Sequence, residues 1–478
     1  MTNVAFIATH YEPHPDEALA IWMAVRFGEK MFPGVTETFR QGRLLFCDAG
    51  REMPVKLPCK RKNIMEIGIG GGEFDEHRDG QTGDECAATL MADRLGLRGD
   101  PALRKMLDWA LRNDQDAEGT AFDWSDIMKA AFHAGIPART MLKRSLRIFD
   151  AVYNTMSGKA KYTDISGMRS YWQLAADWVL DFAPYKPTAD FSRQVSGPLM
   201  AAKAMDLTRD ERIYWIINYE INVFGDAGKP PRTPGFMEIP SIVESLYHDG
   251  ASVGEVTFFV REMLNARLAE QKLFNDATDE WNAVLDAQRN REKTPNGSVF
   301  ELEEWGVTYK VAVVVSDNRR ILSAIRNSHT RPHVIVRAQP STGHISLFGN
   351  GLDVTPVVKR LRAACWEAVG NTSRLTDACL AHEWTVREVP QLCFQKKAGN
   401  ILNGSLTAPH VEPVRIDLKT YLSVMKYGLR EVARAAAQNR KAVKRRSRER
   451  RDARVQDKGP VQGEAGALAI IADVLPLE

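Results

Sequence analysis

The order of apolar and polar positions divides this chain into three regimes. At the start, Val4 to Ala8 form an unbroken apolar run of strand length, and Thr9 to His14 turn polar. Pro15-Asp16-Glu17 then opens a helical pattern carried by Leu19, Ile21, Trp22 and Val25. A short buried strand followed at once by a helix is the first half of a βαβ unit. Pro15 suits a first helical position, and the helix dipole favours Asp16 and Glu17 in the first turn. Further strands are expected over Arg43–Cys47 and from Asn63, in the segment NIMEIG. A helix follows over 84–97, with Cys86, Ala87, Leu90, Met91 and Leu95 on one face. Another starts at Pro101 and is expected to break into Asp114-Gln115-Asp116-Ala117-Glu118-Gly119. Such alternation predicts an α/β fold built on a parallel sheet.

From about 140 to 295 the apolar spacing turns helical, as in YWQLAADWVL, ERIYWIINYEINVF and VREMLNARLAEQKLFNDATDEWNAVL. The proline- and glycine-rich stretch from Gly228 is expected to separate two helical groups. No chemical motif stands out there, and His133 reads as a packed or end-of-helix residue. From about Val307 the α/β pattern returns: strand VTYKVAVVV, a helix through Asn318 to Arg326, the hairpin HVIVRAQPSTGHISLFG, and a helix over 352–368. The expected organisation is therefore an N-terminal parallel-sheet domain (1–140), a mainly helical region (141–298), a smaller C-terminal α/β domain (299–425) and a basic tail (426–478).

With 478 residues the chain is too long for one core. Its 44% hydrophobic and 26% charged content is that of ordinary soluble protein. The opening MTNVAFIATH has neither the basic region nor the cleavage site of a signal peptide. No apolar stretch approaches the roughly 20 residues of a membrane span. The six cysteines are scattered without CxxC spacing, which argues against a disulfide scaffold or zinc finger and suits a reducing cytoplasmic setting. Net charge is only +3, but the run 428–458 carries basic over acidic residues at roughly three to one. A helix of that composition suits contact with a phosphate backbone, and equally suits a solvated charged face. The closing stretch GEAGALAIIADVLPLE is short and apolar, fit to dock on the protein itself or on a second copy in a homo-oligomer.

Candidate chemistry gathers after the first strands. His10, His14 and Asp16 lie within seven residues at a strand-to-helix turn. A single histidine there is usually a satisfied polar side chain, but two imidazoles and a carboxylate suit a divalent transition metal. Asp48 ends the second strand, where another carboxylate would enter the same crevice. The third strand runs into the loop IGGGEFDEHRDG, residues 69–80, with the charged cluster Asp75-Glu76-His77. Its glycines would let backbone amides approach an anion. Asp114 and Asp116 sit against the dipole at a helix end, which a bound cation would offset.

The order His-x3-His-x-Asp, then Asp, then Asp-Glu-His, then Asp resembles the four motifs of the DHH phosphoesterase superfamily. ATHYEPHPDEALA with FDEHRDGQTGDECAATL is most similar to its melanocyte-proliferating-gene branch. The likeness covers residues 1 to about 135, with Glu76 standing where the family has its first signature histidine. It implies two Mn ions, or Mg, held by His10, His14, Asp16, Asp48, His77 and Asp114. Asp75 would orient His77, and Glu76 would be a substitute ligand or handle the water proton. The C-terminal α/β segment resembles the family's smaller domain, whose Gly-His loop closes on substrate. Thr342-Gly343-His344 would be that loop, with Arg337 beside it to steady a terminal phosphate. The activity implied is 3′–5′ exonucleolytic hydrolysis of RNA or short oligonucleotides. A nucleic-acid-binding or assembly protein on a degenerate scaffold, and a hydrolase of a small phosphate compound, are the rivals.

Overall fold

The computed structural model describes residues 3–48, 57–76, 85–116, 122–171, 174, 175, 178, 235–292, 294–383, 385–396, 398–404 and 408–456. The chain is mixed α/β. Near the N-terminus β1 (Phe6–His10) lies between β2 (Leu44–Cys47) and β3 (Ile64–Glu66), parallel to both. The apolar run began at Val4, yet the strand sits two residues later. Being paired on both sides, β1 keeps its ladder through Thr9 and His10, which pair with Phe46 and Cys47.

Helix α1 (Pro15–Phe27) is buried from Pro15 to Ala24, on every face. A helix apolar all round belongs in the centre of a fold. The alanines Ala18, Ala20 and Ala24 allow close packing by α3 (Ala87–Leu95), α4 (Pro101–Asp116) and α6 (Ala138–Met156). Trp22 anchors it: its indole N–H donates to Asp150 at 2.9 Å, and its ring meets Phe149 and Tyr153 edge-on. Helices α2 (Val35–Arg40) and α5 (Trp124–His133) complete this half. α4 does not break at Asp114 as expected but continues to Asp116. Its buried stripe of Leu103, Met106, Leu107 and Ala110 holds it against the core, so the acidic residues become its last turn. His133 ends α5, as the sequence indicated.

One apolar core runs from Val4 to Ala266, taking in α6 and α7 (Ile239–His248). Helix α8 (Val253–Arg289) is 37 residues long, roughly 55 Å at 1.5 Å per residue. Its Val256, Phe259, Val260, Met263 and Leu264 belong to that core. Its Ala277, Trp281 and Val284 pack instead with Ala312, Val314, Ile321 and Ile335 of the C-terminal half. A single helix thus ties both halves together. The segment 211–224, the start of the proline-rich loop and the closing apolar stretch lie outside the described residues.

The C-terminal half is a six-stranded mixed sheet in the order β4-β5-β6-β7-β9-β8. Its strands are β4 (Gly297–Glu304), β5 (Val307–Val315), β6 (Val334–Gln339), β7 (His344–Gly349), β8 (Cys393–Gln395) and β9 (Asn400–Leu402). β5 and β6 are parallel, joined through α9 (Ile321–Asn327), and β6–β7 is the expected hairpin. Helices α10 (Thr355–Ala368), α11 (Asp377–Ala381) and α12 (Leu418–Gln456) follow. The buried guanidinium of Arg362 binds the carbonyls of Cys379, Leu380, His382 and Leu392, tying α10 to α11 and to the approach to β8.

The basic segment is the continuation of α12, whose first turns carry Tyr421, Met425, Leu429 and Ala433 into the core against α10. That four-residue stripe makes the start of α12 part of the fold. Among the described residues no helix is long and apolar enough to cross a membrane. Leu429→Ala is expected to cost about 2–5 kcal/mol, whereas Arg430→Ala, one residue away in an ion pair with Glu304, should cost about 1 kcal/mol or less. Denaturant midpoints of the two variants check this.

Candidate metal centre

With β1 central and its neighbours parallel, all three strands end on one edge of the sheet. The chain passes from β1 to β2 on one side and later returns to β3 on the other, which opens a crevice at the end of β1. β1 delivers His10 to that edge. His14 immediately precedes α1, and Pro15 fixes the first helical position, so Asp16 and Glu17 fall in the first turn.

Glu17 joins these pieces. Its Oε2 accepts the backbone N–H of His14 at 2.7 Å, and its Oε1 lies 2.7 Å from His10 Nδ1. Glu17 and His10 are both buried. This contact sets the His10 ring against the Glu17 carboxylate through Nδ1, which leaves Nε2 as the nitrogen that would ligate a metal. Space for Glu17 comes from Gly68, at φ +67°, where a Cβ would fall 2.1 Å from Glu17 Oε1.

Asp16 is 2% exposed. Its Oδ2 accepts the N–H of Ala87 at the start of α3, at 3.1 Å, while its buried Oδ1 has no hydrogen-bond partner among the described residues. Burial raises its pKa well above the usual carboxylate range. The charges of Asp114, Glu76 and Glu17 add to the rise, against the opposing Ala87 N–H. His14 is exposed and stands at the rim of a cavity. Desolvation, with His10 and Lys129, lowers its pKa against Glu17 and Glu76. The downward shift favours the neutral imidazole, the form that ligates a metal.

Two sets of donors converge. His14, Asp16 and Asp114 bring ligand atoms within 4.8 Å of one another, and so do His10, His14 and Glu17. Neither set includes a sulfur among the described residues. Burial, with Asp48 and Glu66, pushes the Cys47 thiol up to about 11, and burial, with Asp16 and Asp114, raises Cys86 further. The donors are thus nitrogen and oxygen, which suit Mn, Fe, Zn or Mg. A neutral imidazole has one lone pair, so His14 serves one ion in one set at a time.

The other expected residues are distributed around this centre. Asp48 follows β2, one residue beyond the Cys47 that pairs with His10, but belongs to neither set among the described residues. Asp75 is buried and accepts the N–H of Gly71 at 2.7 Å, bracing the glycine loop. Glu76 is half-buried, and its charge acts on both His14 and Asp16. His77 lies outside the described residues, as does the side chain of Asp116. Asp114 joins the cluster because α4 runs on past Asn113.

Arg337 and His344 face the same region from the C-terminal sheet. With Tyr11 and Glu12 of the β1–α1 loop they line a cavity of about 500 Å³. Arg337 donates to the carbonyls of Ser316 and Asn318, at 3.3 and 3.1 Å, and burial lowers its pKa. His344 is buried, with Nε2 2.6 Å from the Val411 carbonyl, which fixes the loop after β9. A second cavity, of about 380 Å³, lies on the other side of Glu12 and is bordered by His14, Lys129, Arg267, Glu270 and Arg320. Sequence patterning marked Glu17 only as a helix-start acid; its place three residues after His14, the capping-box spacing, was the readable signal. No local signal marks Lys129, Arg267 or Arg320.

No family model, curated protein or solved structure matches the chain.

Two outcomes are expected. Gly68→Ala should displace Glu17 and weaken Mn²⁺ binding tenfold or more by calorimetry, with the fold kept by circular dichroism. Asp16→Asn removes a charge whose folded pKa is raised. Such a group contributes stability below its unfolded pKa, and that contribution is lost as pH rises through the folded value. The variant should therefore raise the metal-free melting temperature at pH 7.5 by about 2 °C or more, little at pH 4, and abolish stabilisation by Mn²⁺.

Proposed function

We propose that this chain is a metal-dependent phosphoesterase of DHH-like construction, acting on RNA or short oligonucleotides. The observation that carries this reading is Asp16: a buried carboxylate among other carboxylates, beside His14, with one oxygen that has no hydrogen-bond partner among the described residues. Such an arrangement is costly unless a cation occupies it. His14, Asp16 and Asp114 would hold that cation, with the His10–Glu17 pair adjoining. A bound divalent ion would polarise a phosphoryl oxygen and lower the pKa of a water molecule.

The protein's own groups do the rest. Glu17 fixes the His10 ring and, through the His14 N–H, the turn that carries His14. Asp75 holds the glycine loop that leads into Glu76. Glu76, close enough to act on His14 and Asp16, is placed to take a proton from water. Across the β1–α1 loop, Arg337 supplies positive charge to a phosphate in the larger cavity. Substrate contact with α12 is supported by exposed Tyr427 and Trp305, each with arginine over its ring: Arg360 and Arg430 on Tyr427, Arg434 on Trp305. Basic groups interleaved with aromatic faces suit single-stranded nucleic acid.

A nucleic-acid-binding module on the same scaffold is the second reading, motivated by Glu76 in place of the signature histidine and by the single ion that His14 can serve. Metal stoichiometry and turnover separate the two. With Mn²⁺, release of mononucleotides from a labelled oligoribonucleotide is expected, and Asp16→Ala should reduce it at least 100-fold. Wild-type-like turnover by Asp16→Ala, or tight RNA binding with no turnover in any divalent ion, would reject the enzyme. Truncation after Ala437 spares the buried Leu429 and Ala433; it should weaken oligonucleotide binding, whereas a hydrolase of small phosphate compounds would be unaffected.

A further inference from the structure

Four segments wall the cavity of about 380 Å³: the β1–α1 loop supplies Glu12 and His14, α5 supplies Lys129 and Asp126, α8 supplies Arg267 and Glu270, and the residue before α9 supplies Arg320. Both halves of the molecule therefore contribute to it. Most of its charges are matched. Glu270 is bound by Arg320 at 3.0 Å and by His133, and Lys129 reaches Asp126 at 3.5 Å along one helix face. Glu12 is influenced by Arg319 and His133.

Arg267 makes neither an ion pair nor a hydrogen bond among the described residues, whereas Arg320, whose Nε also lacks a hydrogen bond, has Glu270 within ion-pair distance. The Nε of Arg267 is buried, and burial lowers its pKa although Asp126 and Glu270 oppose the shift. A guanidinium whose Nε is buried without an acceptor is unfavourable, and an oxyanion against the part of Arg267 that lines the cavity would offset its charge. Lys129 is near enough for its charge to act on His14, so the cavity adjoins the metal centre directly.

We propose that Arg267, with Arg320 and Lys129, forms a phosphate subsite next to the metal centre. The planar fork of a guanidinium matches phosphate oxygens, and Arg320 and Lys129 add positive charge to a cavity that Glu12, Asp126 and Glu270 also line. The volume exceeds what a lone carboxylate would fill. The ligand is a phosphate group, either free or as a non-scissile phosphate of a longer chain. The subsite deepens the phosphoesterase reading and rests on it for its role, though its occupancy is measured without metal.

The test is calorimetric titration of full-length, metal-free protein with inorganic phosphate, adenosine 5′-monophosphate and a 5′-phosphorylated RNA trinucleotide. Arg267→Met and the more exposed Lys129→Ala should each weaken phosphate affinity, the first at least tenfold. Arg319→Met, in the neighbouring cavity, should leave it unchanged. Mn²⁺ affinity should stay at the wild-type value in Arg267→Met. Trinucleotide affinity at least tenfold above that of inorganic phosphate assigns the site to a chain phosphate; equal affinities assign it to free phosphate, and both support the subsite. Equal affinity of wild type and both cavity variants for all three probes, or binding of none, overturns it. If Mn²⁺ fails to bind wild type while phosphate binding still depends on Arg267, the metalloenzyme reading falls and the subsite stands.

Discussion

A carboxylate enclosed by protein, with one backbone N–H donated to it and the charges of Glu17, Glu76 and Asp114 acting on it, is the constraint that organises the N-terminal half. Like charges crowded in a low-dielectric setting repel unless a proton or a cation intervenes. Around Asp16 the fold gathers nitrogen and oxygen donors of the kind that hold a cation. The imidazole of His14 sits two residues before it, His10 is fixed by Glu17, and α3 aims its first N–H at it. The positive φ of Gly68 exists in the same service, because a side chain there would collide with the carboxylate that connects both histidines. These features would be odd in a purely structural turn, where a leucine or an asparagine would do better.

The second organising feature is α8. A helix that leaves one core and enters another without interruption fixes how the two halves face each other. Glu270 sits between those stretches and takes both His133 from the N-terminal half and Arg320 from the C-terminal half. The cavity beside His14, which α8 lines through Arg267 and Glu270, therefore has one wall held by a rigid element.

Much of this could be read from the sequence, and the reasons are physical. The His10–Asp16 segment was legible because hydrophobic periodicity changes there from strand to helix, and polar residues at such a change lie at a strand's carboxyl end. The end of α4 was misread because charge near the helix end was weighed without the apolar stripe that holds it. β4 escaped notice because acidic residues break up its apolar positions, Phe300 and Leu302. Its hairpin also turns on Trp305-Gly306, both at positive φ, instead of an asparagine-glycine pair. Gly68 was visible as part of a glycine cluster, but its role depends on Glu17, fifty-one positions earlier in the chain. Arg267 is one more basic residue on a long helix; only the fold places its buried Nε beside the cavity that His14 opens onto.

The most direct measurement is X-ray diffraction from Mn²⁺-soaked crystals, with anomalous data collected at the manganese edge. An anomalous peak bonded to His14, Asp16 and Asp114 is the expected result. A fully diffracting crystal with no peak there, or with manganese only at surface carboxylates, would contradict the claim that this cluster holds a metal.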